Sequence, residues 1–135
     1  MVRIAYKGSC LCGDVQFEIT GSFQSFYLCY CQHCRKDTGS GHASNLFSNT
    51  ATLNWLQGAD STTTFQLPDT QHIKCFCRRC GSALPYQSET LGIVVPAGCL
   101  DTNVELRPTA AIFTSRKPGW AAHLDDLPSF DLFPS

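Results

Sequence analysis

Nine cysteines stand out in this sequence, because most of them lie in close groups. Cysteines that face the same side of a short segment act as a chelate, since their sulfur atoms can hold one metal ion together. The groups are Cys10-Leu11-Cys12-Gly13, Cys29-Tyr30-Cys31-Gln32-His33-Cys34 and Cys75-Phe76-Cys77-Arg78-Arg79-Cys80-Gly81, and Cys99 stands alone.

Disulfide bonds are the competing explanation for so many cysteines. A disulfide between residues two apart is strained, and an odd number of cysteines leaves one unpaired. The start of the chain, Met1 to Lys7, lacks the apolar stretch of a signal peptide. We therefore expect metal binding in a reducing compartment, with a cytoplasmic location.

The pair Cys77 and Cys80, followed by Gly81, is typical of a zinc knuckle. Two sulfurs grip the ion, and the glycine gives the tight turn its backbone freedom. A structural zinc takes four ligands, and Cys10 and Cys12 are the matching second pair. The spacing predicts one closed structural zinc site with four sulfur ligands, formed by Cys10, Cys12, Cys77 and Cys80.

The compact triple Cys29, Cys31 and Cys34 predicts a second zinc with three sulfur ligands. The fourth position decides its character: a protein ligand makes the site structural, and water or substrate makes it catalytic. Spacing alone leaves both alternatives open. The residues that could close the site are His33, His42, His72, Cys75 and Cys99.

The elements that must position these cysteines are mostly strands. Val15, Phe17 and Ile19 alternate with polar residues, which is the period of a half-buried strand. Gly, Pro, Asn or Asp separate further short apolar runs at 26–28, 53–56, 63–67, 93–95 and 110–114. Helical turns are expected only around 32–38 and 120–124. We predict one all-β domain over residues 1–135, with a tail (Leu127, Phe130, Phe133) folded back onto it. Phe113 and Trp120 are expected in the core, the wall of a pocket being the alternative.

Charge and composition exclude two classes of partner. The formal net charge is −1 and 16% of the residues are charged, so no basic excess exists to bind a nucleic acid. No apolar run approaches the length of about 20 residues that spans a bilayer. We therefore expect a partner that is neither nucleic acid nor membrane.

Three motifs resemble the glutathione-dependent formaldehyde-activating enzyme family, which also contains the centromere protein V domain. Gly8 to Val15 resembles its first motif, Cys29 to Lys36 followed by Thr38-Gly39-Ser40 its second, and Phe76 to Leu84 its third. The similarity continues in Ala97 to Asp101, in Ile112 to Trp120 and in the Leu127 to Phe130 ending. This sequence departs from the family in Tyr30, Cys75 and Cys99.

The resemblance implies a small zinc-bound β-tent of short antiparallel sheets. Cys10, Cys12, Cys77 and Cys80 match the family's structural zinc ligands, and Cys29, Cys31 and Cys34 match its catalytic zinc ligands. Two zinc ions per chain follow, the second of them in part occupied. The implied activity joins formaldehyde to glutathione, which is carbon–sulfur lyase chemistry run in reverse.

The ligand set supports thiol chemistry independently of the resemblance. Zinc with three thiolates is a weaker Lewis acid than zinc with three histidines, and it favours a fourth sulfur over an activated water. Arg35, directly after the triple, is a candidate anchor for a carboxylate of the thiol, and His42 is a candidate for acid–base catalysis. We predict a carbon–sulfur lyase-like enzyme acting on a small thiol adduct, glutathione being the expected thiol. The alternative is a non-catalytic zinc-binding protein-interaction module.

Overall fold

Short strands joined by turns predominate in the computed structural model, which describes residues 4–134. The elements are β1 (Ala5–Ser9), β2 (Gln16–Thr20), β3 (Ser25–Cys29), α1 (Gln32–Thr38), β4 (Ala43–Ser48), β5 (Thr52–Gln57), β6 (Thr62–Gln66), β7 (Ile73–Cys77), β8 (Ala83–Leu84), β9 (Tyr86–Ser88), β10 (Gly92–Pro96) and β11 (Ala110–Ile112). The only other regular elements in this range are five 3-10 turns. The all-β prediction is therefore confirmed.

The first sheet has the order β1-β2-β5, and both pairings are antiparallel. Phe17 and Ile19 on β2 are completely buried, as the alternating pattern predicts. Opposite Phe17 lies Gly8 on β1. A Cβ atom at Gly8 would overlap the ring of Phe17, so this position has no room for a side chain.

The second sheet has five strands in the order β11-β3-β4-β10-β9. Strand β11 runs parallel to β3, whereas the other neighbours are antiparallel. Ile93, Val94 and Val95 on β10 are at most 2% exposed, since this strand is covered on both faces. The third sheet, β6-β7-β8, is small and antiparallel, and β7 brings Cys75 and Cys77 into the core.

Helix α1 begins and ends on local signals in the sequence. Cys31 caps its start, because Cys31 Sγ accepts a hydrogen bond from the N–H of Cys34 at 3.3 Å. Gly39 ends it in the left-handed region at φ 68°. The helical turn predicted at 32–38 is confirmed. The second predicted turn forms as two 3-10 turns, Gly119–Ala121 and Leu124–Asp126.

The C-terminal segment corrects one prediction. Phe113 and Trp120 are 62% and 63% exposed, and Leu127, Phe130 and Phe133 are exposed as well. The prediction of core positions for the first two residues, and of a tail folded back onto the core, was wrong. After β11 this segment makes only 3-10 turns, which offer no continuous apolar face to lay on the sheets. No helix within residues 4–134 combines the length and apolar character that crossing a membrane requires.

Candidate metal centres

The sulfur atoms of Cys10, Cys12, Cys77 and Cys80 lie within 4.8 Å of one another. Cys12 Sγ is 3.6 Å from Cys10 Sγ and 3.9 Å from Cys77 Sγ. Four sulfurs around a tetrahedral zinc, each bonded at about 2.3 Å, are separated by about 3.8 Å. We name these four residues the four-cysteine cluster. Its donor type, number and spacing all fit a zinc ion.

Two tight turns deliver the four sulfurs. In the turn after β1, the N–H of Gly13 donates to the carbonyl of Cys10 at 3.0 Å. In the turn after β7, the N–H of Gly81 donates to the carbonyl of Cys77 at 2.7 Å. Gly13 and Gly81 have φ values of 80° and 78°, a region that disfavours residues with a Cβ atom. The same kind of tight turn, closed by a glycine N–H, therefore occurs on both sides of the cluster.

Ser82 joins the two halves of this cluster, and the sequence alone did not single it out. Its hydroxyl oxygen accepts a hydrogen bond from the N–H of Leu11 at 2.7 Å and lies 3.3 Å from Cys80 Sγ. Hydrogen bonding from Ser82 lowers the pKa of Cys80 to about 5. On the other side, the N–H of Val15 donates to Cys10 Sγ at 3.2 Å. These contacts favour the ionised sulfur that a metal requires.

Cys29, Cys31 and Cys34 form a second group whose sulfur atoms also lie within 4.8 Å of one another. We name it the three-cysteine cluster. Cys29 ends β3, Cys31 caps α1, and Cys34 lies in the first turn of α1, where it is 7% exposed. One turn of chain between a strand and a helix thus supplies all three sulfurs, as their spacing predicts.

The thiols of this cluster differ in acidity. Burial raises the pKa of the Cys34 thiol well above its ordinary value. Burial acts in the same direction on Cys31, but the Cys34 N–H and the neighbouring thiols hold the pKa of Cys31 below its ordinary value. The Cys31 thiol is therefore more acidic than the Cys34 thiol.

No fourth metal-ligating side chain among residues 4–134 joins the three-cysteine cluster. The His33 ring lies against the ring of His72, with centroids 5.6 Å apart. The rings of His42 and Tyr30 pack edge to face with their centroids 5.1 Å apart, and His42 Nδ1 lies 3.2 Å from the hydroxyl of Ser44. These three histidines, all candidate fourth ligands by sequence, have other neighbours.

The two remaining candidates, Cys75 and Cys99, are also outside this cluster. Cys75 is buried in the main core between the sheets, and Cys99 packs against that core. Cys99 also borders a cleft of about 500 Å³ that contains Cys10 and Ser9. Burial raises the pKa of both thiols, that of Cys99 to about 12. Both residues therefore pack with the core and do not join the three-cysteine cluster.

An ion-pair cluster ties α1 to β7. Asp37 Oδ1 lies 3.0 Å from Lys74 Nζ, and Asp37 Oδ2 lies 2.8 Å from His72 Nε2. Lys74 Nζ also donates to the backbone carbonyl of Asp37 at 2.6 Å. Because β7 also carries Cys77, the two cysteine clusters are joined through these side chains. Sequence reasoning missed Asp37 and Lys74, since they lie far apart along the chain.

A cleft of about 460 Å³ runs along the exposed side of α1. Its residues come from α1, from the loop that follows it and from the segment after β11: Gln32, Arg35, Lys36, Gly39, Ser40, Arg116 and Trp120. Arg35 Nη1 donates to the backbone carbonyl of Arg116 at 3.5 Å. Nearby, Lys117 Nζ lies 5.1 Å from the centre of the Tyr30 ring. Arg35, predicted as a ligand anchor, therefore lines a cleft that could hold a ligand.

Comparison with known proteins identifies the family of this chain. The family model of the glutathione-dependent formaldehyde-activating enzyme matches residues 5–116 of the chain. The chain belongs to this family. The match includes all seven cysteines of the two clusters and ends at Arg116. Trp120 and the residues that follow it lie outside the match.

A solved structure has a similar fold. The crystal structure of a Rhodobacter sphaeroides protein matches with a TM-score of 0.57 and 24% sequence identity. The alignment covers 78% of this chain and 98% of the other. At this level of identity the likeness concerns the fold. The family assignment rests on the family model, and the two cysteine clusters are consistent with zinc.

Proposed function

We propose that this protein is a zinc-dependent enzyme of the carbon–sulfur lyase type, acting on a small thiol adduct of formaldehyde. The family's name points to glutathione as the thiol. The observation that carries the proposal is the contrast between the two cysteine clusters. One offers four sulfurs, and the other offers three, with no fourth protein ligand among residues 4–134.

In this proposal the four-cysteine cluster holds a structural zinc. Cys29, Cys31 and Cys34 would hold a second zinc, which would supply a binding site for the substrate sulfur. Zinc bound by three thiolates supplies a soft site that favours another sulfur over a zinc-activated water. The surrounding residues then bind and orient the thiol. Arg35 is suited to hold a carboxylate of that thiol by charge-assisted hydrogen bonds.

The reaction needs one proton to move and no redox partner. A thiol adds to formaldehyde, so that a carbon–sulfur bond forms while the carbon–oxygen double bond becomes a single bond. The sulfur proton ends on that oxygen, and the reverse reaction returns it. We assign this proton transfer to His42, because a histidine side chain can serve as a general acid and base. Its ring lies against Tyr30, and its Nδ1 lies 3.2 Å from the hydroxyl of Ser44.

Cobalt substitution at the three-cysteine cluster tests the proposal. Glutathione should intensify the sulfur-to-cobalt charge-transfer bands when its thiolate becomes the fourth ligand. The Cys31→Ser variant, loaded in the same way, is the matched control and should lose this response. An unchanged cobalt spectrum at saturating glutathione would refute a thiol substrate at this site.

One observation favours a non-catalytic interaction module instead. Several large apolar side chains of the C-terminal segment are exposed: Phe113, Trp120, Leu127, Phe130, Leu132 and Phe133. Exposed apolar surface of this kind often binds a protein partner. The cobalt experiment separates the two functions, because an interaction module has no need of an exchangeable position on its metal.

A further inference from the structure

A small cavity lies where α1 meets the second and third sheets, apart from the cleft on the exposed side of the helix. Its volume is about 60 Å³, and its walls come from α1, from β4, β9 and β10 of the second sheet, and from β7 and β8 of the third. Cys34 of the three-cysteine cluster is one of the residues that line it. The cavity is therefore in direct contact with that cluster.

The strand register places Asn45 beside the same cluster. Cys29, the last residue of β3, pairs with Ala43 on β4, and Asn45 follows two residues further along β4. Residues two apart on a strand face the same side of a sheet, and diagonal neighbours of this kind lie about 7–8 Å apart. Ala43 and Asn45 both line the cavity. Cys29 therefore lies on the face of the sheet that carries Asn45.

Tyr86 approaches the cavity from the edge strand β9. It pairs with Val94 on β10, and Val94 pairs with Phe47 on β4. Paired residues face the same side, and Phe47 is two residues from Asn45, so Tyr86 and Asn45 share one face of the second sheet. Burial and the nearby carboxylate of Asp37 raise the pKa of Tyr86 to about 12. No residue among 4–134 forms a hydrogen bond with the Tyr86 hydroxyl, so it is free to donate to a ligand.

The cavity offers hydrogen bonds without an unpaired charge. Asp37 is the one acidic residue among the described residues that line it, and its two carboxylate oxygens already contact Lys74 Nζ at 3.0 Å and His72 Nε2 at 2.8 Å. Lys74 and His72 line the cavity too. An ionic ligand would find no free opposite charge there to offset the loss of its hydration. The lining therefore favours a polar ligand that carries no charge.

The volume limits this ligand to a few atoms. One water molecule occupies about 30 Å³ of the liquid, and an engineered cavity that binds benzene measures about 150 Å³. A cavity of about 60 Å³ lies between the two. It has room for a carbonyl compound of one or two carbons and none for an aromatic ring.

We propose that this cavity binds the carbonyl group of the aldehyde, with the Tyr86 hydroxyl and the Asn45 side-chain amide donating hydrogen bonds to its oxygen. As a sulfur adds to the carbonyl carbon, the carbon–oxygen double bond becomes a single bond, and negative charge gathers on the oxygen until the thiol proton reaches it. Fixed donors stabilise that charge more than they stabilise the neutral carbonyl, which lowers the barrier. The inference rests on the proposed function, because it places the thiol sulfur at the three-cysteine cluster.

Formamide tests the cavity without any reaction, since it is an unreactive carbonyl compound close to formaldehyde in size. Added to the zinc-loaded protein, it should shift the NMR signals of the Asn45 side-chain amide until they saturate. Benzamide, which carries the same amide on an aromatic ring, should leave them in place. Tyr86→Phe removes only the hydroxyl and should weaken formamide binding about fivefold, the effect of one lost hydrogen bond. Tyr27→Phe makes the same chemical change on the same sheet outside the cavity, and it should bind formamide like the unaltered protein.

The kinetic test separates a role in the reaction from a role in folding. Exchange of ¹³C-formaldehyde with its glutathione adduct is followed by NMR in the zinc-loaded protein. Tyr86→Phe and Asn45→Leu should each lower kcat about a hundredfold, the usual loss when one donor to a developing oxyanion is removed. Tyr27→Phe should keep its kcat. All three variants should keep the Tm and the affinity for glutathione, read from the cobalt spectrum, because the thiol does not occupy the cavity.

The outcomes distinguish the two proposals. The inference about the cavity is wrong if formamide leaves the Asn45 signals unmoved, or if Tyr86→Phe and Tyr27→Phe have the same kcat while glutathione still changes the cobalt spectrum. If formamide binds as expected and glutathione leaves the cobalt spectrum unchanged, the cavity is supported as a carbonyl site and the proposed function fails.

Discussion

Asp37 and Lys74 connect the only α-helix of the described residues to the strand that ends in the four-cysteine cluster. Their charged atoms are 3.0 Å apart, and Lys74 Nζ also donates to the Asp37 backbone carbonyl at 2.6 Å. Asp37 is 16% exposed, so the pair is largely removed from solvent. The position of Cys34, on the same helix, therefore depends on a contact with another sheet.

Replacing Asp37 by Asn should loosen the three-cysteine cluster. The change leaves Lys74 without its charged partner, at a cost of about 1–3 kcal/mol. Zinc at Cys29, Cys31 and Cys34 should bind about tenfold more weakly, measured by competition with a chromophoric chelator. Asp131→Asn, an exposed acid in the C-terminal segment, is the control. Equal zinc affinity in both variants would contradict a positioning role for Asp37.

The same chemical change in the two clusters should have different consequences. Cys77→Ser removes a ligand from a site that joins segments 65 residues apart, and structural zinc contributes on the order of 10 kcal/mol to folding. That variant should unfold or be insoluble. Cys31→Ser should keep its fold and lose turnover, measured by circular dichroism and by activity. A stably folded Cys77→Ser protein with an unchanged Tm would contradict the structural assignment.

Chelators should remove the two ions in sequence. The three-cysteine cluster offers one protein ligand fewer than the other, so its zinc should leave first. A mild chelator should extract about one equivalent while the circular dichroism spectrum stays unchanged. Loss of both ions together with unfolding would show that the second site is closed and structural.

The cysteine clusters and the buried strand faces can be predicted from local sequence, whereas the contacts between distant segments cannot. Cys29, Cys31 and Cys34 lie in one short segment, so their spacing predicts that they meet. On β2, the alternation of apolar and polar residues predicts which face of the strand is buried. The contact between Asp37 and His72 spans 35 positions and leaves no local pattern. The prediction of a core position for Trp120 was wrong, because an apolar side chain in a sequence looks the same whether it lies in a core or on the wall of a cleft.

The knuckle glycine offers a test of backbone strain. Gly81 has φ 78°, and a residue with a Cβ atom costs about 1–2 kcal/mol in that region. Gly81→Ala should lower the free energy of unfolding by that amount, measured by denaturant titration of the zinc-loaded protein. Gly98→Ala is the matched control, since neither glycine has a neighbour within 4 Å and only Gly81 has a positive φ. Equal stability of the two variants would argue against strain.

The two cysteines outside the clusters should resist alkylation. Burial raises the pKa of Cys99 to about 12 and also raises that of Cys75. At pH 8 a thiol with a pKa of about 12 is ionised in roughly one molecule in 10,000, and only the thiolate reacts. Iodoacetamide should leave both unmodified in the zinc-loaded protein and label both after denaturation, as followed by mass spectrometry. Rapid labelling of Cys99 in the native protein would contradict this assignment.

The four-cysteine cluster also sets an order of events during synthesis. A ribosome makes the chain from its N-terminus, so Cys29, Cys31 and Cys34 are complete and free to capture zinc while Cys10 and Cys12 still lack their partners. The four-cysteine cluster can be completed only after Cys77 and Cys80 have emerged, with β7 in place. If both clusters bind zinc as proposed, the nascent chain would therefore offer it first the cluster with three protein ligands.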